Sequence, residues 1–269
     1  MVRILVAFAI LVAVIALTQL AIRALPGPDS AALRLLEAIA VCLLAPTAYS
    51  VFVRTVERRP VSELAVSGAF AELAYGVLLG AALFGATIAA LWALGYYRAS
   101  GLNPWVVVIP AFAGALISGV GEELLFRGVL FRISEEGLGT WLALLLSALV
   151  FGLLHLMSPN PSLGAALAVT LEAGVLLAAA YTATRRLWLA MGVHFAWNFV
   201  QGGIFGAAVS GNPSIGLLQA ELAGPDLLSG GAFGPEASVF AVAFCLLASM
   251  YLLWRTKQRG QWVKPSWRR

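Results

Sequence analysis

Residues 104–132 read PWVVVIPAFAGALISGVGEELLFRGVLFR, and the nature of this stretch decides the fold. Its first part, 104–121, carries no charged residue; Glu122, Glu123 and Arg127 then follow before the apolar run resumes. A helix crossing a bilayer needs about 20 mostly apolar residues, and this stretch is long enough. An ionised side chain near the centre of such a helix costs roughly 2.5–3.5 kcal/mol on insertion scales, so these three residues are expected to face a protein interior and to mark function.

Seven further runs of spanning length flank it: 2–22, 31–53, 73–95, 140–157, 163–184, 187–205 and 237–254. The composition agrees, since 61% of the residues are apolar and 11% charged, against roughly 45–50% and about 25% in soluble domains. The expected fold is an all-α polytopic membrane bundle of about eight transmembrane helices, with no room for a soluble domain. Three regions are expected: helices one to three over 1–100, helices four to seven over 101–205, and a Gly/Pro-rich outer loop, last helix and basic tail over 206–269. The first run is longer than the roughly 7–15-residue apolar core of a signal peptide, which predicts a retained helix. Cys42 and Cys245 fall inside apolar runs and read as small buried hydrophobes. The net charge of +4 does not indicate nucleic acid, because the basic residues sit between apolar runs rather than among aromatics on a soluble face.

Orientation follows from Lys and Arg, which favour cytoplasmic loops. With the N-terminus inside, fourteen of the seventeen basic residues fall in inner segments, and only Arg23, Arg34 and Arg98 fall outside. Both termini are then cytoplasmic, which an even number of spans also requires. Trp92, Trp105, Trp141, Trp188 and Trp254 lie near helix ends, where indoles suit the headgroup layer. Gly76 and Gly80 form a small-xxx-small step that allows close helix approach. The basic tail sets topology and suits contact with anionic lipid.

The remaining intramembrane polar residues are few: His155 on the fifth helix, Glu172 on the sixth, and His194 with Asn198 on the seventh. At about 1.5 Å per residue, Glu122, His155, Glu172, His194 and Asn198 lie roughly 10–22 Å from their inner helix ends, so they can share one layer. His155 is the deepest and fits least well. Glu123 and Arg127 are four residues apart and can pair on one helix face, which leaves Glu122, about 100° away, as the free carboxylate. His194 and Asn198 share the same spacing, as do Phe151 and His155, so Phe151 is expected to wall the pocket beneath the imidazole. Glu172 is expected either to line this pocket or to bond a neighbouring helix.

A carboxylate beside an imidazole in a water-poor pocket can deprotonate water, which suits Glu122 with His155. Amide hydrolysis also needs donors aimed at the oxyanion of the tetrahedral intermediate, which suits His194 with Asn198. No HExxH run, GxSxG elbow or catalytic cysteine pattern is present.

Three motifs occur in series: Glu122-Glu123-Leu124-Leu125-Phe126-Arg127 as EExxxR, Phe151 to His155 as FxxxH, and His194 to Asn198 as HxxxN. Together, with the segment 184–188 leading into the last of them, they resemble the CPBP family of CAAX proteases and bacteriocin-processing enzymes over roughly 101–200. The resemblance implies an intramembrane endopeptidase of about eight helices, CAAX prenyl protease type II-like; eukaryotic members remove the last three residues from prenylated CAAX proteins. It implies Glu122 as the water-activating base, His155 as its partner, His194 and Asn198 as oxyanion donors, and Glu123 and Arg127 as supports. Glu122, His155 and His194 also form the donor set of an open zinc site. Asn198, a poor zinc ligand and a good oxyanion donor, favours a glutamic mechanism with no cofactor.

The expected partners are membrane lipids and a peptide or membrane-protein substrate, with no nucleic acid. The compact size and closer likeness to prokaryotic members point to a prokaryotic plasma membrane. Two other classes compete: a catalytically silent membrane partner or immunity-type protein, and a proton-coupled transporter, since intramembrane Glu and His also build proton relays. Transporters often repeat their broken helices in two halves, whereas here the polar groups gather on helices four to seven.

Overall fold

A computed structural model describes residues 1–25 and 30–268. Its helices are α1 (Val2–Arg23), α2 (Ala31–Thr55), α3 (Ala69–Ala93), α4 (Val108–Glu123), α5 (Arg132–Leu154), α6 (Leu163–Val169), α7 (Val175–Thr184), α8 (Trp188–Asn198), α9 (Asp226–Ser229) and α10 (Val239–Gln258). Three π-helical stretches continue them: Leu124–Phe131 joins α4 to α5, Thr170–Gly174 joins α6 to α7, and Phe199–Ile204 extends α8. The chain is an all-α polytopic bundle. Leu5, Leu17, Leu43, Leu78, Leu145 and Leu247 point outward, as lipid-facing side chains do when hydrocarbon is the solvent.

Six helices among the described residues are long and apolar enough to cross a membrane, and one of these, Trp105–Met157, is 53 residues long. A straight helix of that length would measure about 80 Å, more than twice the roughly 30 Å hydrocarbon core. Gly139, with φ 73° and ψ 171°, breaks it where the fourth and fifth runs were expected to part. The expected seventh span corresponds to α8 with its π-helical extension, which is shorter than the six.

The two ends of the bundle differ. At one end Arg132 binds Glu57 at 2.7 Å and Glu63 at 3.2 Å, Arg59 binds Glu63 at 2.7 Å, Arg3 joins Glu57 and Glu136, and Arg185 pairs with Glu135. The tail returns to the same end, where the Thr140 amide donates to the Val263 carbonyl at 3.0 Å. Basic residues expected in separate inner segments therefore meet in one layer. Arg127 is a correction to that count, because it is fully buried inside the bundle. Arg269 lies outside the described residues.

At the other end Arg23 pairs with Glu37 at 3.0 Å. There the segment 206–234, expected as an outer loop, contributes β2 (Leu218–Leu222), which pairs antiparallel with β1 (Tyr97–Leu102). The reason lies in hydrogen bonding: the Asn103 amide and side chain donate to Leu217 and Gly216, so two long connections satisfy one another's backbone groups.

The most extensive helix contact joins α3 to α8. A Cβ at Gly76 would lie 2.4 Å from the Leu189 carbonyl oxygen, and one at Gly80 would lie 2.4 Å from that of Val193. The small-xxx-small step thus brings backbone against backbone. Gly80→Ala should force the two helices apart at a cost of about 1–3 kcal/mol, read as a lower thermal midpoint in detergent; an unchanged midpoint would show that the contact yields freely.

Candidate active site

Glu122 and Glu123 end α4, and neighbouring helical residues point about 100° apart. Glu123 turns inward and is wholly buried. Its Oε1 accepts from Arg127 Nη1 at 2.8 Å and from His194 Nδ1 at 2.8 Å. Arg127 also donates to the carbonyls of Ala173 (3.3 Å) and Gly174 (3.1 Å), at a π-helical turn where the ordinary ladder of helix hydrogen bonds is interrupted. Its guanidinium lies 4.7 Å from the centre of the Phe151 ring, a cation–π distance. Helical spacing anticipated the Glu123–Arg127 pair, whereas the bond from Glu123 to His194, 71 residues away, had no signal in local spacing.

His194 and Asn198 face α4 from α8. His194 Nε2 stands 3.9 Å from Glu122 Oε2, and the Asn198 amide donates to Ser118 Oγ at 2.9 Å. Gly119 permits this approach, since a Cβ there would lie 3.1 Å from the Phe195 nitrogen. Because Nδ1 is held by a carboxylate, it carries the proton, and Nε2 is the ring atom left for chemistry.

His155 sits just past α5, at the start of a 3₁₀ turn, and its Nδ1 donates to the Phe151 carbonyl at 2.8 Å. Its ring lies 4.9 Å from that of Phe151 and 6.4 Å from that of Phe233, so Phe151 does wall the imidazole. Glu122 and His155, expected as a pair, share a cavity without a direct hydrogen bond among the described residues.

That cavity, of about 40 Å³, is bounded by Glu122, His155, Glu172, His194, Asn198 and, from the long loop, Ser210 and Glu236. This is room for water but not for a peptide. Glu172 both lines it and bonds across to α10, where Cys245 Sγ lies 3.8 Å from Oε2. Glu236 was not anticipated: it is buried and accepts the Ser210 amide at 2.6 Å. Burial pushes its carboxyl above the usual range, against the opposing pull of His155, Gln201 and Ser210. Its one local signal was an acid placed directly before an apolar span.

Glu122 also reaches two open grooves. One, of about 340 Å³, runs between α1, α2 and α4 past Gln19, Arg34 and Gly114; the other, of about 710 Å³, runs past Pro110, Ser118, Asn198 and Ile215. The arrangement therefore pairs a small water-sized chamber with channels wide enough for a chain, and Glu122 lies on the wall between them.

A zinc ion would suit the donor types Glu122, His155 and His194, whose Nδ1 atoms are already held as they are in many metal sites. Among the described residues, however, no three His, Cys, Asp or Glu side chains converge closely enough to hold an ion. The donor set as arranged does not fit the metal.

Removing Arg127 would leave Glu123 buried without its cation, a loss of about 3–5 kcal/mol for a buried pair broken on one side. Arg127→Ala should accordingly unfold far more readily in detergent than wild type, and Glu123→Gln in the same background should recover part of the loss. No recovery would mean that the packing of Arg127 on Phe151, rather than its charge, sets the stability.

Residues 103–200 match the family described as type II CAAX prenyl endopeptidase Rce1-like. No curated protein and no solved structure matches the chain. The matched segment begins at the entry to α4, ends just past Asn198 and contains all three motifs, and over that segment the chain is similar to the CAAX-protease family of intramembrane peptidases.

Proposed function

We propose that this protein hydrolyses a peptide bond of a membrane-associated substrate, prenylated CAAX-like chains among the candidates, by a glutamic mechanism. The observation that carries this reading is the position of Glu122, which bounds the water-sized cavity, faces His194 Nε2 at 3.9 Å and opens on both grooves. Glu122 takes a proton from water as the oxygen attacks the substrate carbonyl carbon. His155 orients that water through Nε2, its Nδ1 being held by Phe151.

As the C–O bond forms, negative charge develops on the former carbonyl oxygen. The Asn198 amide, steadied by Ser118, donates to it. His194 donates through Nε2 as the imidazolium, with Glu122 and Glu123 on either side to balance its charge. Collapse of the intermediate breaks the C–N bond, and Glu122 returns its proton to the leaving amine. Glu123 and Arg127 hold His194 in place, and Glu172 lines the chamber. The enzyme is proposed to reside in a prokaryotic plasma membrane with both termini cytoplasmic.

Proteolysis of a peptide library in liposomes tests this. Glu122→Gln should lower kcat about 100–10,000-fold, the range for loss of a general base. Asn198→Ala should lower it about 100–1,000-fold, as loss of an oxyanion donor does. Chelator should have no effect. Cleavage that survives Glu122→Gln would remove the proposed base, and cleavage abolished by chelator would replace the glutamic route with a metal-dependent one.

A further inference from the structure

The two ends of the bundle, the charge distribution and the position of the site together say on which side of the membrane it works. With Arg127 set aside as an interior residue, twelve of the other fifteen basic residues among the described ones belong to the end that carries both termini, and Arg23, Arg34 and Arg98 to the opposite end. Short loops rich in Lys and Arg stay cytoplasmic. The terminal end is further marked by the layer of ion pairs around Arg132 and by the tail docked on Thr140.

The site opens away from that layer. Its cavity is closed by Ser210 and Glu236, both on the connection between α8 and α10. The larger groove to Glu122 runs under Asn212–Ile215 of the same connection and beside Val107 at the start of α4. The second groove passes Arg23 and Glu37, at the end of α1 and the start of α2. All of these belong to the end with few basic residues. Toward the terminal end, Glu123 and Arg127 are fully buried, and beyond them Phe131 and Leu187 pack without solvent exposure.

We infer that the site is entered from the non-cytoplasmic face, so that its substrates are peptide segments of exported or membrane-anchored proteins that emerge on that face, and a prenylated CAAX-like chain is a substrate only where its end reaches that face. The substrate half of this inference rests on the endopeptidase reading above; the sidedness does not. The grooves suit such a segment, being open at the outer membrane surface and lined by small residues of α4, Gly114 and Ser118. A peptide lying there would pass Glu122 before meeting the closed interior.

The test uses the full chain, with Cys42→Ser and Cys245→Ala, in intact bacterial cells treated with a membrane-impermeant sulfonated maleimide. Ile215→Cys, at the rim of the larger groove and 69% exposed, should be labelled in intact cells. Gln258→Cys, exposed at the end of α10, should be labelled only after permeabilisation. The reverse pattern, or labelling of both in intact cells, overturns the inference. Should the Ile215 variant fail to accumulate, Leu227→Cys, 73% exposed on the same connection, takes its place.

A second arm compares right-side-out and inverted vesicles given a soluble peptide that the detergent-solubilised protein cleaves. Right-side-out vesicles should cleave it at least about tenfold faster, because a charged peptide does not cross the bilayer; equal or reversed rates overturn the inference. If the solubilised protein cleaves no peptide, the endopeptidase reading fails instead, while maleimide labelling still reports the sidedness.

Discussion

A single carboxylate oxygen, Glu123 Oε1, receives both Arg127 and His194 at 2.8 Å in the middle of an apolar bundle. Buried charges are tolerated only when paired and hydrogen-bonded, so this oxygen ties α4, its π-helical continuation and α8 into one arrangement. Arg127 extends the tie to the π-helical turn before α7 through two carbonyls, and to α5 through the Phe151 ring. Loss of any one partner would strand the others without water to replace it. The position of His194, and with it the geometry around Glu122, follows from this cluster.

Two kinds of irregularity make room for it. Glycines at Gly76, Gly80 and Gly119 let α3 and α4 close on α8 until backbone touches backbone, which fixes the depth at which His194 and Asn198 sit. The π-helical stretches adjoin the site on three sides: one begins directly after Glu123, one contains Glu172, and one begins directly after Asn198. Such wide turns shift the side-chain phase along a helix and occur mostly at functional sites. The close packing and the irregular turns are thus parts of the same device: the first holds the helices near, and the second turns the right side chains toward one cavity.

Glu122 differs from its neighbour in being about one-third exposed while Glu123 has no exposure at all. Two identical side chains, adjacent in sequence, are given opposite surroundings by a 100° turn of helix. Glu123 is committed to permanent partners. Glu122 keeps an oxygen toward the cavity and the grooves, which is the condition for the proton exchange proposed for it.

The sequence by itself determined the bundle, because a bilayer admits long apolar helices and little else, and it determined the Glu123–Arg127 pair, because helical geometry fixes neighbours four residues apart. The motif residues on three helices were legible for the same reason: charge and amide groups in an apolar span stand out against their cost. Tertiary structure alone decided that His194 leans on Glu123, that His155 turns its Nδ1 to its own helix, and that Glu236 closes the chamber from a loop outside the matched segment. The first and last of these bring together residues far apart in the chain, set by how glycine contacts and π-helical turns rotate whole helices, and periodicity within one helix carries no information about its rotation against another.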